Sequence, residues 1–161
     1  MADRQHHRGG PFGESDYRRA GLERLADSLA LLEDGRFAGS IYLAGRAVES
    51  MLRALVWKFD RDVRQGRKSL ATGHDLRELL TAVRNLGVLR DNERTEEFAA
   101  RIERVGRLWF NNLRFAHGRL IENHWRRLGI VGSSASFKHA TEQFFSDCSI
   151  IVRRSEALCQ K

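Results

Sequence analysis

Proline is almost missing from this chain: Pro11 is the only one, and it stands close to the N-terminus. With none beyond it and few runs of β-branched residues, the sequence reads as all-α rather than as a sheet. Cysteine is nearly as scarce. Cys148 and Cys159 are the only two, too few for a disulfide framework and not spaced as a zinc ligand set, so both read as reduced thiols, with Cys148 facing the core. Long apolar runs are absent too. Stretches such as SIIV are far too short to cross a bilayer, and MADRQHHRGG lacks the apolar segment of a secretory leader. The expectation is a cytoplasmic protein with no membrane association. Lysine is rare, four of 28 basic residues, so the cationic character is carried by arginine, the side chain that contacts phosphate in bidentate fashion.

What is present is enough for one domain. The chain has 161 residues, 42% of them hydrophobic and 30% charged, the balance of a globular protein with a real core rather than of a disordered one. The net charge of +7 favours acidic partners. Most of it is concentrated: between Arg101 and Arg127 seven arginines face two glutamates, leaving +5 in that segment.

Periodicity divides the rest. Residues 1–15, polar and glycine-rich, read as a disordered tail, and 16–161 as a single helical domain. Asp16 is the expected N-cap of a first helix whose stripe is Leu22, Leu25, Leu29 and Leu32, stopped by Gly35 in the left-handed conformation. Phe37, Ile41, Ala44, Val48, Met51, Leu55 and Phe59 then repeat at steps of four and three, the most regular signal in the chain. So short a link between long helices implies an antiparallel hairpin. Residues 60–73 read as a loop. His74 and Asp75 precede a short helix ended by Gly87, and Thr95, Glu96 and Glu97 signal the start of another. That helix has Phe98, Ile102, Val105, Trp109 and Leu113 on its apolar face and a break at Gly118. After a loop at 129–136, Ser136 caps a last helix with the stripe Phe137, Thr141, Phe144, Cys148, Ile151 and Leu158. The expected architecture is an antiparallel four-helix up-and-down bundle with one added short helix.

Two polar groupings stand on these helices. Arg46, Glu49 and Arg53 share one face of the second helix with Tyr42, so Glu49 can pair with either arginine or orient a group from the basic segment. In NNLRFAHGRLIENHW, residues 111–125, Asn111, Asn112, Arg114, His117, Arg119 and His124 crowd together. Arginine and histidine supply the base, acid and phosphorane-stabilising cation that metal-independent RNA cleavage requires near neutral pH, and Arg119 and His124 form an R-x4-H pair. His117 competes for the role of His124. No metal-ligand spacing, glycine-rich phosphate loop or nucleophile elbow occurs, so no metal and no cofactor is expected.

Three segments in order, YLAGRAVESMLRALV at 42–56, GHDLRELL at 73–80 and NNLRFAHG at 111–118, resemble the HEPN domain, a small helical domain of prokaryotic defence and toxin–antitoxin systems. The resemblance runs from about residue 16 to 158. It implies a HEPN-like four-helix core, a homodimer whose interface gathers polar residues of both protomers, and RNA or a nucleotide as ligand. Catalytic members are similar in using an R-x4-6-H motif, which maps onto Arg119 and His124; the chain departs from many toxin members at Leu120, where they are polar, and at Arg126, where some carry a tyrosine.

Three functions follow. The first is a metal-independent endoribonuclease with His124 as acid or base, Arg119 and Arg114 on phosphate, and Glu49 and Asn112 orienting. The second is a non-catalytic subunit that uses the same basic groove, with Arg46, Arg53 and Asn111 in it, for RNA, a nucleotide or an acidic partner such as a nucleotidyltransferase. The third, a DNA-binding regulator, rests on charge alone, since no helix-turn-helix spacing appears.

Overall fold

A computed structural model describes residues 12–70, 73–89 and 93–161. Among these there are helices and no strand: α1 (Glu14–Glu33), α2 (Phe37–Phe59), α3 (Arg61–Arg64), α4 (Leu76–Asn85), α5 (Glu93–Leu108), a 3-10 turn (Asn111–Phe115), α6 (Gly118–Arg127) and α7 (Phe137–Cys159). The expected disordered tail lies mostly outside the described residues. Its last part does not: Glu14 and Ser15 are helical, and the N-cap is Gly13. Asp16 instead accepts the Gly13 N–H from inside the first turn at 2.8 Å, the reciprocal half of a capping box.

Gly35, at φ 71°, ends α1 as its position predicts. The chain then reverses. Ser28 Oγ donates to Ser40 O at 2.9 Å, while nearer the other end Gly21 faces Met51 and Ala47, so α1 and α2 run antiparallel. This close approach is made by small residues, and it corrects the expected core stripe of α1. Its buried positions are Gly21 and Ser28. Leu25 and Leu32 are half-buried, while Leu22 and Leu29 are 36% and 41% exposed.

The α2 stripe is buried as the spacing predicts: Ile41, Ala44, Val48, Met51 and Leu55 have no exposed surface, only Phe59 at the end being exposed. Each large side chain so covered contributes about 1.5–3 kcal/mol. Helix α7 packs against α2 in the same direction, with Phe37 against Phe137 at one end and the Lys58 ammonium on the Cys159 carbonyl at the other. Ser136 caps α7, accepting the His139 N–H at 3.1 Å. On the far flank α4 lies between α2 and α5, and α5 runs antiparallel to α7. Arg101 and Arg104 reach Asp147 there, and Arg154 reaches the carbonyl of Arg94.

Two further expectations are corrected. Within the 60–73 loop, Asp60 accepts the N–H groups of Asp62 and Val63 and starts the one-turn helix α3. The fourth pattern is not one helix to Gly118. It begins at Glu93, before Thr95, and stops at Leu108, and Phe110 is extended (φ −147°, ψ 153°). Trp125 Nε1–H donates to the Leu108 carbonyl, one of the acceptors a helix end leaves free, and Trp109 Nε1–H donates to Tyr42 O at 3.1 Å. Both bonds tie the end of the helix to other elements, Trp125 of α6 and Tyr42 of α2. Gly118 is not the break but the first residue of α6.

Candidate functional site

The Glu49 carboxylate is the centre of the polar structure. It sits on α2 with 2% of the residue exposed, a position tolerable for a charge only when hydrogen bonds replace water. Three donors do so. Arg46 Nη1 approaches Oε2 at 2.6 Å, Arg53 Nε reaches Oε1 at 2.9 Å, and Nδ1 of His74, from the turn before α4, reaches Oε1 at 2.8 Å. Arg53 also donates through Nη2 to the Gly73 carbonyl at 2.6 Å, which holds the turn that presents His74.

These contacts assign the histidine proton. Nδ1 lies 3.2 Å from Arg46 Nη1, which can only donate, and 2.8 Å from a carboxylate oxygen, which can only accept. The shorter, charge-assisted contact prevails, so Nδ1 carries hydrogen, and whenever the ring is neutral Nε2 is its acceptor. The imidazole is about half exposed, at 46%.

His74 opens onto a cleft of about 380 Å3 whose other walls include Arg77, Trp109, Phe110, Asn111 and Asn112. Asp75 caps α4 by accepting the Arg77 N–H at 2.8 Å and lies 3.5 Å from the guanidinium. Three guanidiniums, of Arg46, Arg53 and Arg77, stand with three carboxylates, of Glu49, Asp75 and Glu78, the last beside Gly73, so the charges of the site balance. The floor is set by Gly45. A Cβ there would fall 2.2 Å from Cδ1 of Trp109, so only glycine lets the indole lie on α2, where it stacks on Tyr42 at 6.4 Å between centroids. The residues after Trp109, from Phe110 to Asn112, are carried to the cleft by that anchor.

Phe110 and Asn112 also line a second groove, of about 270 Å3, with Phe115, Leu120, His124 and Arg127. His124 stands edge-on to Phe110 at 5.6 Å. The groove is apolar and open, Phe115 being 76% and Leu120 49% exposed.

The nine residues singled out from sequence therefore fall into three sets. Arg46, Glu49 and Arg53 form one network. Asn111 and Asn112 come to the cleft beside it, and His124 to the adjoining groove. Arg114, His117 and Arg119 are exposed and line neither cavity. Arg114 lies 4.5 Å over the Phe115 ring, and His117 is the N-cap residue of α6. Arg119 and His124 are five positions apart on α6, about 140° round the helix, and of the two only His124 lines either cavity. Part of the basic segment is also structural: Arg101 and Arg104 share Asp147, and Arg126 pairs with Glu122. The hydrogen bond with Asp147 raises the Arg104 pKa against the opposing effect of burial.

In the sequence His74 stands before the short helix and within the family-like segment, but neither it nor Arg77 nor Phe110 is singled out for the site. The Asp75 cap directly after His74 was the available signal, since it fixes the backbone that presents the ring. No group of three His, Cys, Asp or Glu among the described residues could hold a metal ion, and no helix among them is long and apolar enough to cross a membrane. No protein-family model, curated protein or solved structure matches the chain.

Proposed function

We propose that the protein is a HEPN-like binding subunit whose ligand is RNA or a nucleotide, held in the cleft between α4 and the 3-10 turn. The observation that carries this reading is the composition of the cleft: the Arg77 guanidinium, the two amides of Asn111 and Asn112, the exposed ring of Phe110 and the carboxylate-oriented His74 share one cavity of about 380 Å3. Cations meet phosphate, amides meet base edges, and an aromatic face takes a base of any identity. The alternating directions of α1, α2, α5 and α7 support the HEPN-like up-and-down reading. A homodimer, and an acidic partner such as a nucleotidyltransferase on the same basic surface, belong to this proposal.

Binding is tested with short fluorescent single-stranded RNA and with labelled nucleotides by anisotropy over a salt series. Phe110→Ala is expected to weaken binding roughly 5- to 150-fold, the worth of one stacked base. Arg77→Ala should weaken it across sequences and lower the salt slope. Equal affinity of wild type and both variants removes the cleft as the site, and a preference for duplex DNA returns the protein to the regulator reading.

A second reading, metal-independent RNA cleavage, is favoured by the Glu49–His74 contact, which presents Nε2 as a base in the manner of an oriented catalytic histidine. RNA incubated in EDTA with wild type, His74→Ala, Arg119→Ala and His124→Ala separates the cases. Fragments lost only with His74→Ala place cleavage at the cleft, fragments lost with Arg119→Ala and His124→Ala place it on α6, and intact RNA throughout leaves the binding subunit.

A further inference from the structure

The leucines that fail to enter the core raise the question of what they meet. Arg19, Leu22, Ala26, Leu29 and Glu33 recur at steps of three and four along α1, and every one of them is exposed. That spacing makes a single stripe on the side of α1 turned away from α2. Its order is self-complementary when reversed: a cation at one end, two leucines about a central alanine, an acid at the other.

We propose that this stripe is an interface between two copies of the chain, with α1 packed antiparallel on the partner's α1 about a two-fold axis beside Ala26. Closed dimers need a patch that matches itself under rotation, and this one does. Arg19 lies seven residues before Ala26 and Glu33 seven after it, only about 40° apart round the helix. An axis at Ala26 therefore sets Arg19 opposite the partner's Glu33. Leu22 and the partner's Leu29 come within about one residue's rise, 1.5 Å, of the same level. The small side chain of Ala26 lets the helices approach at the point of crossing.

The ends of α1 give an independent reason. Glu33 and Asp34 stand at its C-terminus with no basic residue in the last turn, against the helix dipole, which favours cations there. Neither acid forms an ion pair among the described residues. Arg19 is held only by Glu23, one turn on, in a pair whose side chains are 84% and 56% exposed, and such a pair yields readily. A second copy's Arg19 supplies a missing cation. No residue of α1 lines either cavity, so the interface does not rest on the ligand-binding reading and leaves both clefts of a dimer open. It also differs from the polar interface that the family resemblance implies.

The test is the mass of the full chain in solution by sedimentation velocity, up to the highest soluble concentration. Wild type is expected to dimerise, and Leu22→Glu with Leu29→Glu to weaken self-association by roughly thirtyfold or more, the loss of an interface hot spot, with unchanged circular dichroism. Arg19→Glu should also weaken it, and adding Glu33→Arg in the same chain should restore it, which a parallel pairing would not allow. Ala26→Cys should cross-link the dimer on oxidation, and Ser15→Cys, equally exposed on the same helix but far from the axis, should not. A monomeric wild type, a dimer that survives both leucine substitutions, or a double charge reversal without rescue overturns the proposal.

Discussion

Oε1 of Glu49 lies 2.8 Å from Nδ1 of His74, across 25 residues of chain. The same carboxylate also receives Arg46 and Arg53, so one buried group ties α2 to the turn before α4 and sets which histidine nitrogen faces the cleft. Glu49→Gln keeps the shape and removes the charge. The amide nitrogen would be turned against a donor in a buried place, and a loss of about 2–4 kcal/mol is expected. His74→Ala should cost under about 1 kcal/mol, because the ring is half exposed and both arginines remain on the carboxylate. Urea midpoints at constant slope measure both; equal costs would show that the network does not centre on Glu49.

Gly45→Ala sets two effects against each other. Alanine is the better helix former by about 1 kcal/mol, but its Cβ would enter the Trp109 ring at 2.2 Å. The ring is rigid and only 2% of the residue is exposed, so overpacking of about 1–3 kcal/mol or more should prevail. The indole must move, and with it Phe110, Asn111 and Asn112. The expected result is a lower melting temperature, a shift in tryptophan emission and loss of ligand binding together. A more stable variant with unchanged emission would mean that the indole does not rest on Gly45.

How much of this could be read from sequence is clearest on α2 and α5. The α2 stripe, the Gly35 stop and the Ser136 cap depend on neighbours in the chain, and all three are present in the structure. On α5 the apolar spacing from Phe98 to Leu113 is that of a helix and those residues are buried, yet the helix stops at Leu108. Burial is periodic in both cases; the Leu108 carbonyl at the end of α5 is taken by an indole proton from Trp125, seventeen residues away, which periodicity does not record. The α1 leucines mislead for the complementary reason: Gly21 and Ser28, invisible to a hydrophobic pattern, allow the closer helix contact. At the site, the spacing of Arg46, Glu49 and Arg53 was legible because it is local. The third partner of Glu49, His74, comes from another element and was not.

Asp60 gives a test of acid stability. Burial pushes its carboxyl up, but hydrogen bonds from Lys68 and from the Val63 and Asp62 N–H groups outweigh burial and hold it below its ordinary value of 3.8. Because the folded pKa is the lower, its contribution is present above about pH 4 and is lost as the pH falls through the folded value. Asp60→Ala should cost about 1–2 kcal/mol at neutral pH, chiefly the lost cap of α3, since Lys68 is largely exposed and adds little. The gap between wild type and variant in urea melts should narrow below pH 4. A gap independent of pH would mean that the ionised carboxylate is not what caps the turn.

The two thiols should be silent in the folded protein. Burial pushes Cys159 up to about 11 and Cys148 well above its ordinary range, and the thiolate is the reactive form. At pH 8 neither should react with an aromatic disulfide reagent in native buffer, and both should react in denaturant. The sign of the linked stability follows from the raised values. Below the unfolded pKa of about 8.5 the thiols cost nothing, and above it the unfolded chain ionises first, so stability falls as the pH rises toward the folded values. Replacing both cysteines with alanine should flatten this alkaline decline while lowering stability overall, because Cys148 fills a site with no exposed surface. Prompt labelling of the native protein would place at least one sulfur outside the core.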